Sequence, residues 1–405
     1  MKKEHHIPID KDFLLDFCTE ENKFEENQKK GTNELFRILE QYFHFEGFKL
    51  NQLIKKNYFG FDPDRIEELK LGNQNSGNLA VFKENVHSVL ARGKYVQIDN
   101  SFLEEAMSKN DIIGLKLKID FEHFKEYKVF TRGSKVYKEK IRHLYFWQKE
   151  KEVESFERVV VYIEYKDKSY FEQKKIDYSK LSIQPGTIIL KSFKRVPKND
   201  LESIFPNAVP VMTPKDKVLL WIPALAGGLI LFFSRILPSI IVTYRAYQKG
   251  EAINTEELED TIFQVAVALG FIGYYVIRQF KRFLHKKIEF SKKLTESLYF
   301  KNIANNAGVF PSLIQEAEEE EIKETIIAYI FLYKSDTHLS IDELDEKIEK
   351  WFKNKMNCDV DFDVENALRK LQQLGIGLEN DGRWHVKNLD EALTKANDIR
   401  NSILL

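Results

Sequence analysis

Metal binding and proton transfer both need clustered His, Cys, Asp or Glu side chains, and this sequence scatters its candidates. Its nine histidines include an adjacent pair, His5 and His6, at a terminus expected to be mobile. Others, such as His44, His87, His123 and His143, stand without ligand spacing. Cys18 and Cys358 are the two cysteines, too few and too far apart for a disulfide framework or a thiolate metal site. Carboxylates are plentiful, but an acid–base pair requires a shared cleft that spacing alone does not define. The chain has no phosphate loop, dinucleotide fingerprint, HExxH or nucleophile elbow. The sequence therefore assigns no catalytic residue, no metal and no cofactor, and it leans away from an enzyme.

Two polar groups stand out because of where they sit. Arg235 and Gln264 interrupt apolar runs long enough to cross a bilayer. The first run opens at Thr213-Pro214-Lys215-Asp216, which combines a hydroxyl N-cap, proline at the first helical position and a carboxylate three residues past the cap. From Pro214 to Phe233 it measures about 30 Å as a helix, the thickness of a hydrocarbon core. Arg235 then falls near the far interface, where it can snorkel. The second run, Thr261 to Ile277, is about 25 Å long.

The segment between the runs is acidic (Glu251, Glu256, Glu257, Glu259, Asp260), whereas Arg278, Lys281, Arg282, Lys286 and Lys287 follow the second. The positive-inside rule then keeps both ends of a helical hairpin on the cytoplasmic side. Ala224 with Gly228, and Ala266 with Gly270, have the small-xxx-small spacing that lets such helices pack closely, within the hairpin or between copies.

These elements give an α+β membrane protein in four regions. Residues 1–110 read as mainly helical, with Leu35, Phe36, Ile38, Leu39, Tyr42 and Phe43 striping one helix and a Ser101–Glu104 capping box opening another. Residues 111–206 read as an antiparallel sheet, its strands at Leu115–Phe121, Tyr127–Thr131 before an Arg132-Gly133 turn, His143–Trp147, Val159–Tyr165 and Thr187–Phe193. Residues 213–297 form the transmembrane hairpin, with spans at about 214–242 and 261–277, and a basic juxtamembrane helix.

Residues 310–405 read as three helices, the second opened by a Ser340–Glu343 capping box and the third running from near Asp363 to Leu374 and stopped by Gly375, and a strand hairpin, a winged-helix-like domain. The acidic run Glu316–Glu321 would be the solvated start of its first helix. The third helix carries Asp359, Asp361, Asp363 and Glu365 at its start, which argues against nucleic acid and for a protein-binding or purely structural role. The whole-chain balance of 62 basic and 63 acidic residues adds no field that would draw polyanions.

Two stretches flank the apolar runs, FKRVPKNDLESIFPNAVPVMTPKDK from Phe193 and LYFKNIANNAGVF from Leu298. With them the chain resembles the domain of unknown function 3754 family, which includes transmembrane protein 143-like proteins, from Val159 to the C-terminus. The resemblance rests on Arg195, Pro197, Leu201, Phe205, Pro206, Asp216 and Lys217 before the spans, and on Leu298 to Phe300, Asn302, Asn305, Asn306, Ala307 and Gly308 after them. It implies a two-span membrane protein and brings no activity.

Arg195, Phe205, Pro206, Asn207, Asp216, Asn302, Asn305, Asn306 and Gly308 are accordingly the candidate interaction residues. Asn305 to Gly308 also suit a helix end with left-handed geometry. Arg278, Lys281, Arg282, Lys286 and Lys287 are candidate lipid head-group contacts. The expected function is a membrane-anchored scaffold or adaptor with a protein partner and a possible homo-oligomeric state. The alternatives are a subunit of an oligomeric transporter or channel and an unrecognised membrane-bound enzyme. A Lys-, Asn-, Ile- and Phe-rich composition suggests a bacterial gene, which with the hairpin and its basic flanks gives an inner (plasma) membrane protein, both termini cytoplasmic.

Overall fold

The computed structural model describes residues 3–65, 77–99, 101, 103, 116–143, 147–179, 183–211, 218, 222, 226–230, 232–250 and 255–404. It mixes α-helices with antiparallel sheet. The chain opens with α1 (Lys11–Glu21), α2 (Glu26–Tyr58) and α3 (Leu79–Arg92), capped by Asp10, Glu25 and Asn78. The stripe read on Thr32–Phe43 lies inside α2, where all six residues but the half-buried Tyr42 are buried. Of the Ser101–Glu104 box, Glu104 lies outside the described residues.

There follow β1 (Val96–Gln97), β2 (Lys116–Lys118), β3 (Phe124–His143), β4 (Trp147–Tyr165), α4 (Lys168–Gln173), β5 (Ile188–Pro197) and β6 (Val209–Val211). After them come α5 (Leu237–Lys249), α6 (Thr255–Lys301), β7 (Asn302–Asn305) and α7 (Val309–Tyr333). The chain ends with α8 (Ile341–Met356), α9 (Val364–Gln373), β8 (Gly377–Asn380), β9 (Arg383–Val386) and α10 (Leu389–Leu404).

The main sheet is antiparallel in the order β1-β3-β4-β5-β7. Three features differ from the sequence reading. The Arg132-Gly133 pair is no turn: β3 runs through it, and Gly133 supplies a left-handed φ of 65° within the strand. The run expected at His143–Trp147 is no separate strand, because His143 pairs with Trp147 at the end of one long hairpin. The alternating segment from Leu115 yields only β2, which pairs with β6 in a sheet of its own. Alternation predicts a strand but not which strand it joins.

Two compact units divide the chain: residues 1–104, 121–198 and 301–405 in one, and 105–120 with 199–300 in the other. The N-terminal helices, the main sheet and the C-terminal helices thus share one body. Its larger core joins Leu35, Leu39 and Phe43 of α2 to Ile326, Ile327 and Ile330 of α7 and to Ala392 and Ala396 of α10. A second core sets Tyr58, Phe82 and Phe310 against Val160 and Leu190 of the sheet.

In the C-terminal part the Ser340–Glu343 capping box forms, Asp363 caps α9, Gly375 takes a φ of 63°, and β8 pairs with β9. The other unit contains the β2–β6 pair and the apolar helices. One described helix, Ala226–Lys249, is long and apolar enough to cross a membrane, with mean hydropathy 1.8 over its most apolar window and none of that window buried. Its helix passes α6 at Gly227, where a Cβ would stand 3.6 Å from Ile272 Cγ1. The Thr213-Pro214 cap lies outside the described residues.

Candidate functional site

Helix α7 carries the acidic run, and the run is not a solvated helix start. The helix begins seven residues before Glu316, at Val309, and the acids face inward: Glu320 and Glu321 are 0% exposed and Glu324 is 2% exposed. Each meets a cation or donor brought from elsewhere in the same unit. Arg92 of α3 grips Glu321 with Nε and Nη2 at 2.8 and 2.6 Å, and Lys370 of α9 stands 3.2 Å away. Lys94 reaches Glu324 at 2.8 Å, and Asn366 donates to the same carboxylate at 2.8 Å. Arg132 of β3 donates to Glu320 at 2.8 Å, and Arg158 of β4 donates to Glu316 at 2.9 Å.

A run of glutamates without these partners would be driven to solvent or neutralised. With them, α7 is fixed in rotation and register against α3, α9 and the sheet. Glu316, Glu320 and Glu324, four apart, form one stripe along the helix.

Beside this stripe the sheet makes an unusual row. The ladder pairs Arg132 with Arg158 and Ser134 with Phe156, then Arg158 with Lys194 and Phe156 with Val196, leaving Gly133, Glu157 and Arg195 without ladder pairs between them. Gly133 and Arg195 both have left-handed φ, 65° and 52°. Neighbouring strand residues normally point to opposite faces. Here Glu157 and Arg158 both line one cleft of about 400 Å³, together with Arg132, Lys135, Tyr137 and Arg195. The N-terminal segment His6–Lys11 and Glu316, Glu319 and Lys323 of α7 complete it.

The terminus expected to be mobile is tied down here. Glu4 bridges in parallel to Val360, Ile7 N donates to Glu320, and Lys323 Nζ donates to Ile7 O at 3.0 Å. His6, 6% exposed, lies 3.4 Å from Glu157, which also pairs with Lys135. Those partners, His6 first, hold the Glu157 carboxyl down to about 2 against its burial.

The depressed carboxyl sets a pH dependence. Its folded value lies below the ordinary one, so the stabilisation is complete above about pH 4.5 and is lost as pH falls toward 2. At about 1.4 kcal/mol per unit it amounts to about 1–3 kcal/mol. Urea midpoints across this range should fall more steeply with acid for the wild type than for Glu157→Gln. Parallel slopes would remove Glu157 from the linkage.

The other candidate residues fall in several places. Arg195 lines the cleft just described. Asn306, 8% exposed with a φ of 49°, donates to Asp64 Oδ2 at 2.8 Å and accepts from Leu190 N at 3.4 Å. Its left-handed geometry was expected, but the preceding helix stops at Lys301 and the strand β7 intervenes. Asn305 pairs with Lys191 and Asn302 with Phe193, and the Oδ1 of Asn302 is buried with no hydrogen-bond partner among the described residues. Gly308 is exposed and precedes α7.

In the other unit, Phe205 is buried, Pro206 is exposed and Asn207 donates to Asp120 O at 2.8 Å. Asp216 lies outside the described residues. Arg278, Lys281 and Arg282 are exposed and Lys287 is half-buried on α6, while the side chain of Lys286 lies outside the described ones. Among the described residues no group of three or more His, Cys, Asp or Glu could hold a metal ion.

Glu157, Gly133 and the inward glutamates were missed from sequence. The four-residue spacing of Glu316, Glu320 and Glu324 was the available signal.

Residues 156–308 match the model of a family described as Protein of unknown function (DUF3754). The match supports a domain of unknown function and ends well before the C-terminus. It includes Glu157, Arg158 and Arg195 of the cleft and Asn302 to Gly308. No solved structure matches the chain.

Proposed function

We propose that the protein is a membrane-anchored scaffold or adaptor that crosses the bilayer twice and holds its larger unit at the cytoplasmic surface to bind a protein partner. The observation that carries this reading is the exposure of apolar side chains on two helices between the halves of that unit. Ile230 and Phe233 are 69% and 62% exposed, and Ile262, Phe263 and Phe271 are 59%, 69% and 70% exposed. Water would leave this surface unpaired with any apolar neighbour, whereas hydrocarbon covers it.

Chain connectivity supports an even number of crossings. Segments 121–198 and 301–405 fold into one unit, so both must lie on the same side of any membrane. If Ala226–Lys249 crosses, a second segment must return, and Thr261–Ile277 of α6 is the apolar run available. The basic residues from Arg278 onward then meet the anionic leaflet, each contributing about 1 kcal/mol near its surface.

On this reading the arrangement of α7, α8, α9 and the β8–β9 hairpin is a winged-helix-like module used for protein contact. The chain is also read as akin to the transmembrane protein 143-like proteins through the segments after Phe193 and Leu298. A Lys-, Asn-, Ile- and Phe-rich composition supports a bacterial source, and on that reading the membrane is the plasma membrane.

Alkaline carbonate should leave the intact protein in the membrane pellet, and detergent should release it. A protease site inserted after Gly250 should be cut only from the face opposite both termini. Release by carbonate, or cleavage on the same face as the termini, would overturn the two-span anchor. Affinity capture in mild detergent should return a partner that is lost when the C-terminal module is disabled by substitution at its surface. Capture that never depends on the larger unit would overturn the adaptor role.

A further inference from the structure

Arg195 holds a backbone conformation that an arginine resists. Among the described residues, seven that are not glycine have positive φ. Lys23, Lys94, Lys175 and Asn357 follow helices, Asp381 sits in the β8–β9 turn, and Asn306 opens the short helical turn that follows β7. Arg195 alone of these lies inside a strand, at φ 52°. Glycine would adopt this geometry freely. Strain of this kind persists where the side chain has a task.

The side chain stands apart from its neighbours as well. Every other lysine or arginine of the cleft has a carboxylate: Arg132 and Lys323 have Glu320, Arg158 has Glu316, Lys135 has Glu157 and Lys11 has Glu40. Arg195 has no ion-pair partner among the described residues. Its Cζ instead lies 5.3 Å from the centroid of the Tyr137 ring, a contact that orients the guanidinium without neutralising it. Of the acids lining the cleft, Glu157 and Glu316 face cations, Asp10 caps α1, and Glu319 accepts from Gln315 Nε2 at 3.1 Å. Arg195, exposed at the cleft, is the lining cation left without a carboxylate among the described residues, and it presents a planar fork of N–H donors.

We infer that the cleft between the N-terminal segment, the strained row and α7 binds a small soluble oxyanion, a compound whose carboxylate or phosphate group sits on Arg195. Two oxygens of such a group match the guanidinium fork, and the volume of about 400 Å³ is that of a small-molecule site. A polyanion is not the match, because the surrounding cations are paired and offer no track of phosphate contacts. This inference is independent of membrane anchoring.

The test uses the full chain in mild detergent, with thermal unfolding followed against inorganic phosphate and, separately, malonate, each at ionic strength matched by chloride. The arms distinguish a phosphate from a carboxylate ligand. At least one should raise the wild-type Tm saturably, as binding to the folded state requires. Arg195→Gly should unfold at a Tm no lower than the wild type without ligand, because glycine relieves the backbone, and should lose the response to that anion. Three results would overturn the inference: no saturable rise for either anion, an undiminished rise in Arg195→Gly, or a Tm several degrees lower for Arg195→Gly without ligand. The last would make Arg195 a structural residue.

Discussion

Glu321→Ala should destabilise the larger unit by about 3–5 kcal/mol, the usual result of removing one partner of a buried ion pair. The carboxylate is fully buried and accepts both N–H groups of the Arg92 fork, with Lys370 as a third contact. Its loss leaves two cations facing apolar surroundings. Arg92 and Lys370 keep 21% and 19% of their side-chain exposure, so both can turn partly toward water, which favours the lower end of the range. Urea unfolding of the detergent-solubilised chain measures the change. The double variant Arg92→Met/Glu321→Met should recover part of the loss, because it removes one of the two unpaired cations and leaves only Lys370, which can turn toward water. A single variant within about 0.5 kcal/mol of wild type, the range of an ordinary surface substitution, would show that this pair does not hold α7 in place.

Gly47→Ala should also destabilise the protein, by about 1–3 kcal/mol as overpacking does, against the direction that helix propensity predicts. Gly47 lies within α2, where alanine would ordinarily gain about 1 kcal/mol. A Cβ there would stand 2.7 Å from Ile314 Cγ2 and would overlap the Glu318 carboxylate of α7. The glycine therefore sets how closely two long helices approach. The urea midpoint should drop, and Gly47→Ser should drop further. An alanine variant equal to or more stable than wild type would mean that α7 can yield at this point.

These two residues also mark where sequence reading stopped. Ser340, Glu343, Asp363 and Gly375 were legible because a cap or a left-handed stop is settled within a few residues. The alternating strands from Tyr127 and Val159 were legible in kind for the same reason. Gly47 was silent because its neighbour lies on another helix far along the chain.

The glutamates of α7 pointed the wrong way, since a charge run is ordinarily solvated. Their partners Arg92, Arg132, Arg158 and Lys370 are separated from them by stretches of sequence that carry no pairing signal. The cleft was visible only through Arg195. Its strain, its Tyr137 contact and its shared row with Gly133 and Glu157 come from register across three strands, which one sequence does not state.

The interleaving of the larger unit has a consequence for biosynthesis. Its N-terminal helices and sheet leave the ribosome before α7, the helix that contributes to both cores. At about 5–20 residues per second, the stretch from residue 199 to the end of α7 takes roughly 7–30 s to make. Through that interval Leu35, Phe43, Phe82 and Val160 lack the part of their cores that α7 supplies, and Arg92, Arg132 and Arg158 lack their carboxylates. The nascent chain must wait with an open core, a natural client for a holding chaperone, until α7 and the helices after it arrive to close it.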